Sequence, residues 1–309
     1  MKKLTYAFLA IGIATAITSC HKENLIPENN EPAVSEETAV GRGVPNTTNA
    51  VIANNTYFYP SGGSTSVLFK GGTNVTFDGQ GKVLVGTIVN NTYFYGLGGS
   101  SSILFKASTE VTFGLGTGKV AIGTIVNNTY FYGSGGSSSI LFKAGTVVTF
   151  ASGQAGKLKK GTLVNNTYFY GSGGSSSVLF AANTEVVFAD GQAGKLETGT
   201  IVNNTYFYGN GGSSSVLFKG GTSVTFAAGQ AGKLDRGTIV NNTYFYAAGG
   251  SSSILFKANT QVIFAAGFTG KLRTGTLANN TYLYPSGGSS SILFYAGSVV
   301  TFDNYGKVV

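Results

Sequence analysis

Histidine, cysteine and methionine occur once each in the 309 residues, tryptophan is missing, and only 10% of positions are charged. A single cysteine excludes a disulfide framework, and with a single histidine it excludes a zinc cluster of Cys and His ligands. His21 adjoins Cys20 near the amino terminus, so the many serines downstream have no imidazole or thiolate to activate them. Seven carboxylates follow residue 50, at Asp78, Glu110, Glu185, Asp190, Glu197, Asp235 and Asp303. Glycoside hydrolysis needs two of them at a set separation, and their irregular spacing sets up no such pair. The expectation is a chain that is not an enzyme and uses no metal or cofactor. Helical periodicity is missing too: the 47 glycines would each cost roughly 1 kcal/mol in a helix interior. Disorder is excluded from the other side, because 42% hydrophobic and 13% aromatic residues supply apolar surface that disordered chains lack.

Residues 1–20 read MKKLTYAFLAIGIATAITSC. Lys2 and Lys3 precede an apolar stretch of secretory length over residues 4–17, and Thr18, Ser19 and Cys20 form a small-residue cleavage end. Ile17-Thr18-Ser19-Cys20 resembles the lipobox of bacterial lipoproteins. The resemblance implies a signal peptide over residues 1–19, cleavage before Cys20 and acylation of that cysteine. Each buried CH₂ of such an anchor adds about 0.8 kcal/mol of membrane affinity. Because His21 rather than aspartate follows the cysteine, the resemblance also implies the outer membrane of a Gram-negative cell, on its periplasmic face or at the cell surface. Residues 20–49 contain five Glu against Lys22 and Arg42, with Pro27, Pro32 and Pro45, and read as a solvated tether.

Over residues 50–309 one unit recurs seven times, with Asn-Asn pairs starting at Asn54, Asn90, Asn127, Asn165, Asn203, Asn241 and Asn279. The steps are 36, 37 and then 38 residues, a period that signals stacked or radial repeats. In the copy that starts at Asn127, four runs rich in Tyr, Phe, Ile, Val and Thr alternate with glycine-rich stretches, at 129–132, 138–142, 147–150 and 157–164. Each reads as a strand. All length variation lies between the Phe of the third run and the Lys of the fourth, so that loop is expected to be external. The column Gly72, Ser108, Gly145, Asn183, Gly221, Asn259, Gly297 predicts a left-handed backbone, which Gly and Asn tolerate and Ser108 would adopt under mild strain. Pro60, Pro285, Leu283 and Tyr295 set the first and last copies apart, as in capping repeats.

The run from Lys143 to Phe150 (KAGTVVTF), followed by Gly156-Lys157-Leu158 and Gly161-Thr162-Leu163, resembles two families. One is the bacterial surface β-helix; the other is the variant MORN-like hairpin repeat, from which the chain departs by lacking Trp and by its GGSSS insertion. Neither resemblance implies catalytic residues. Every copy carries a Lys after Gly, and one coil per unit would stack these ammonium groups about 4.8 Å apart. Two coils per unit double the spacing to about 9.6 Å, near the Debye length. The fold expected is therefore all-β: a tandem-repeat β-solenoid with about two coils per 38-residue repeat. Fourteen such coils would span about 67 Å. A seven-bladed β-propeller and an open β-hairpin meander are the alternatives.

Tyr-Phe-Tyr recurs in every copy, with Leu283 replacing Phe once, so 14 of the 17 tyrosines fall in two columns. On a strand the two Tyr share one face and the Phe takes the other. A packed aromatic stack and a wet tyrosine ladder both satisfy that alternation; if the Phe is the buried member, the tyrosines are outside. A wet ladder beside asparagines suits stacking on sugar rings. It nominates Asn127, Asn128, Tyr130, Tyr132, Asn165, Asn166, Tyr168, Tyr170, Asn203, Asn204, Tyr206 and Tyr208. The basic column Lys119, Lys157, Lys195 and Lys233 would attract acidic polysaccharide, in a region with 16 basic against seven acidic residues. Guarding strand edges is the plainer role for the same lysines. The stretch Gly114–Lys119 looks like part of a phosphate loop, but Val120 stands where Ser or Thr is required, and it reads as a turn. The expected function is a lipid-anchored, non-catalytic envelope module that adheres to extended glycan. A ligand-free spacer or scaffold is the alternative, and an ice- or mineral-binding face a more distant one. The expected partners are the membrane, through the anchor, and polysaccharide, with nucleic acid not expected.

Overall fold

The computed structural model describes residues 47–309. The lipobox, Cys20 and residues 20–46 of the expected tether lie outside the described residues. Within them the fold is all-β, with 28 strands and no helix. Each unit supplies four strands. In the third copy these are a tyrosine strand (Thr129–Tyr132), a serine strand (Ser139–Phe142), a valine strand (Val147–Phe150) and a glycine strand (Leu158–Thr162).

The valine and glycine strands of successive copies, with a leading strand Thr48–Ile52, form one antiparallel sheet of 14 strands. The tyrosine and serine strands form seven separate two-stranded hairpins. The chain thus enters the sheet for two strands, leaves it for one hairpin, and returns beside the strand it left. This is a tandem-repeat, solenoid-like path in which each copy adds two strands, so equivalent residues recur about 9.6 Å apart. A propeller would divide the same strands into separate four-stranded blades. The single continuous ladder, with its first and last strands at opposite ends, excludes that alternative.

The core lies between sheet and hairpins and is built from phenylalanine. Twenty of the 22 Phe occupy three columns, one each from the tyrosine, serine and valine strands. Phe131 meets Phe150 edge-on at 5.8 Å and tilts against Phe142 at 6.1 Å. Phe142 in turn meets Phe188 of the next copy at 6.4 Å. Edge-to-face geometry of this kind adds to the burial term, and it links copy to copy through the core. Gly161 sits under this stack: a Cβ there would lie 2.6 Å from Cδ1 of Phe142. The Gly of the Gly-Thr pair is therefore required by the ring above it.

The left-handed column is as expected from the sequence. Ser108, Asn183 and Asn259 have φ of 56°, 60° and 59°, and Gly72, Gly145, Gly221 and Gly297 are also positive. The first and last copies share a device that the inner ones lack. In their shorter loops Asp78 Oδ1 accepts the N–H groups of Gln80 and Lys82, and Asp303 Oδ1 accepts those of Tyr305 and Lys307. Burial raises the Asp78 pKa, but the Ser61 hydroxyl, these backbone donors and the Lys82 charge outweigh it and hold the carboxyl below its ordinary value. For Asp303 the Lys307 N–H is the main cause of a shift in the same direction.

Candidate binding surface

Strand alternation sends Phe131 inward and Tyr130 and Tyr132 outward, and the same holds in every copy. The first Tyr of each pair is 66–68% exposed and the second 47–52%. On the outer face of the third hairpin Tyr130 stands opposite Leu141, and Tyr132 opposite Ser139. Cross-strand neighbours of this kind touch, so each hairpin presents a ring beside an aliphatic side chain and a second ring beside a hydroxyl. Seven such hairpins lie in file, with a pitch of about 9.6 Å set by the underlying sheet.

Between neighbouring hairpins run grooves of 240 to 370 Å³, found at the junctions of copies one and two, two and three, four and five, and five and six. In the fourth-to-fifth groove the walls are Ser175 to Val178 on one side and Thr205 to Tyr208 on the other, above Phe226 and Gly232. The rings of Tyr206 and Tyr208 thus border a slot rich in hydroxyls.

Among the asparagines and lysines nominated with the tyrosines, Asn128, Asn166, Asn204, Lys119 and Lys157 have structural partners for their side chains. Asn128, Asn166 and Asn204 use Oδ1 to accept the N–H of Ala144, Ala182 and Gly220, 16 residues ahead, at 2.7–2.8 Å. Each fastens the start of its hairpin to the left-handed turn after it. Asn127, Asn165 and Asn203 have exposed side chains, and their carbonyl oxygens accept the hydroxyls of Thr129, Thr167 and Thr205. Nζ of Lys119 and Lys157 donates to the carbonyls of Gly99 and Gly136 at 2.7 Å, closing the glycine-serine loop. Lys195 and Lys233 stand in the same column, partly buried. The sequence pattern held a signal for the asparagine role: the second Asn keeps a fixed 16-residue distance from the residue before the left-handed turn.

The opposite face of the sheet differs. A continuous row crosses every strand, one residue each, running Thr112, Ile122, Thr149, Lys160, Val187, Thr198 through the middle copies. Ion pairs bridge copies there, Lys159 with Glu197 at 3.4 Å and Lys160 with Glu185 at 3.1 Å. No protein-family model, no curated protein and no solved structure matches this chain.

Proposed function

We propose that this chain is a lipid-anchored, non-catalytic module of the bacterial outer membrane that binds extended glycan along its tyrosine face. The observation that carries the reading is the exposure of fourteen tyrosines in two columns. Contiguous exposed apolar surface of this extent marks an interaction site. The ring face is electron-rich and receives the polarised C–H groups of a sugar, while the serine-lined grooves offer hydroxyls to its edges. Repetition suits a polymer, because weak contacts at successive copies add through effective concentration. The excess of 16 basic over seven acidic residues in the repeats favours an acidic chain. Val85, Ile122, Lys160, Val187, Arg236 and Ile263 interrupt the threonines of the row on the opposite face, so the reading rests on the tyrosines rather than on that row.

The test is a glycan array and polysaccharide pull-down with the full chain, alongside a variant with Tyr168, Tyr170, Tyr206 and Tyr208 changed to Ser. Binding that the variant loses, with unchanged thermal unfolding, is the expected result. Failure to retain any acidic or neutral polymer sinks the proposal and leaves a spacer or scaffold.

A further inference from the structure

The two ends of the described sheet are uncovered in complementary ways. At the carboxyl-terminal end, Phe294 is partly exposed although its six serine-strand equivalents are 0% exposed. Around it Tyr295, Val299 and Tyr305 are 69–82% exposed, the reverse of the polar outer face that a capping repeat presents. A cavity of about 760 Å³ opens beside Ser286 and Gly287. At the amino-terminal end Phe58 and Phe77 are partly exposed where inner copies bury theirs, and Val51 is 66% exposed. Among the described residues only Val75 and its neighbours pair with the leading strand Thr48–Ile52, and its other edge has no partner among them.

The strand types at these edges are those that pair inside the molecule. The sheet begins on Thr48–Ile52, a glycine-strand equivalent that reads into Asn54 as Leu158–Thr162 reads into Asn165, and it ends on the valine strand Val299–Thr301. In each inner copy a valine strand pairs with a glycine strand, as Thr149 does with Lys160. Among the described residues the outer edge of Val299–Thr301 meets only those around Val308 and Val309.

We propose that the carboxyl-terminal end of one molecule docks on the amino-terminal end of a second copy, repeating the junction seen between inner copies. The registers then follow, with Val308 and Val309 holding the places equivalent to Leu158 and Lys159, so that Thr47 and Thr48 of the second copy give up their places at its edge to them. Thr301 faces Asn49 of the second copy and Val299 faces its Val51, in an antiparallel pair. Phe294 meets the second copy's Phe77, as Phe142 meets Phe188. One column differs: Ala50 stands where inner copies have the Gly beneath the ring. The seventh copy is also the one with Leu283 in place of Phe beside that ring, which leaves Phe294 room to withdraw from the extra methyl. Because the two surfaces are different, the contact is heterologous and does not close on itself in pairs; it extends the sheet into a filament.

The experiment is sedimentation velocity and negative-stain microscopy on the full chain in detergent, for wild type, Val51→Lys, Val299→Glu and the double variant. Both valines are exposed, so the substitutions leave the fold intact, and circular dichroism checks this. Wild type is expected to form particles whose length grows with concentration in whole-molecule steps. Each single variant is expected to weaken association about tenfold, equivalent to roughly 1.4 kcal/mol, and the double variant to recover it through the opposite charges. A monomer at every concentration, with the ends covered by residues 21–46 or by nothing, overturns the proposal. So does a dimer that grows no further, or association that Val51→Lys leaves unchanged.

Discussion

Gly161 has no space for a side chain, and it shows how one column governs the core. An added methyl meets Phe142 at 2.6 Å, so Gly161→Ala should lower stability by roughly 1–3 kcal/mol, the range for overpacking, in denaturant unfolding. Gly133 is tighter still, since an added methyl there would lie 2.2 Å from the Phe188 ring; the sixth copy carries Ala247 in this column where Leu283 replaces the Phe that crowds the ring, so Gly133→Ala should cost at least as much. Ser108 holds φ of 56°, and Ser108→Gly should stabilise by up to about 1 kcal/mol by removing the left-handed penalty. Asp78 titrates below its ordinary value. A depressed folded-state pKa stabilises above the unfolded value of about 3.9 and loses that contribution as pH falls through the folded one. Acid below about pH 4 should therefore loosen the first copy's loop, and Asp78→Asn should remove this part of the pH dependence, as amide exchange at Lys82 would report. The left-handed column was legible in the sequence because few residue types tolerate it. Asp78 and Asp303 were visible only as carboxylates, since nothing in the sequence said that their short loops fold back onto them.

At the scale of the strand, sequence alternation named the two faces of Tyr-Phe-Tyr but could not say which was dry. The answer depends on a second layer: Phe131 is inside because Phe142 and Phe150 come from two other strands to meet it. Strand existence was legible from β-rich runs between glycines. Partner choice was not, because each valine strand pairs both with its own glycine strand and with that of the preceding copy, across an intervening hairpin. The hairpins are held by side chain to backbone bonds, and Asn166→Ala should cost about 1 kcal/mol by leaving the Ala182 N–H without its acceptor. Hydrogen exchange at Ala182 should quicken in that variant while exchange in the sheet stays slow.

At the scale of the whole described fold, each copy touches only its neighbours, so stability is a sum over units and junctions. Removing residues 165–202, one unit of 38 residues, should leave cooperative unfolding and lower the denaturant slope by roughly a seventh, in proportion to the surface lost. Removing residues 165–183 alone takes a hairpin away from a sheet that keeps its strands, uncovers Phe188, and should abolish cooperative unfolding. The same additivity governs binding if the tyrosine face is a ladder. The most direct measurement is calorimetric titration of the full chain with oligosaccharides of increasing length, drawn from a polymer that it retains. The affinity should climb with each further pair of tyrosines the ligand spans, and the climb should stop early when Tyr168, Tyr170, Tyr206 and Tyr208 are Ser. An affinity independent of ligand length, or one that the four substitutions leave unchanged, would contradict the account.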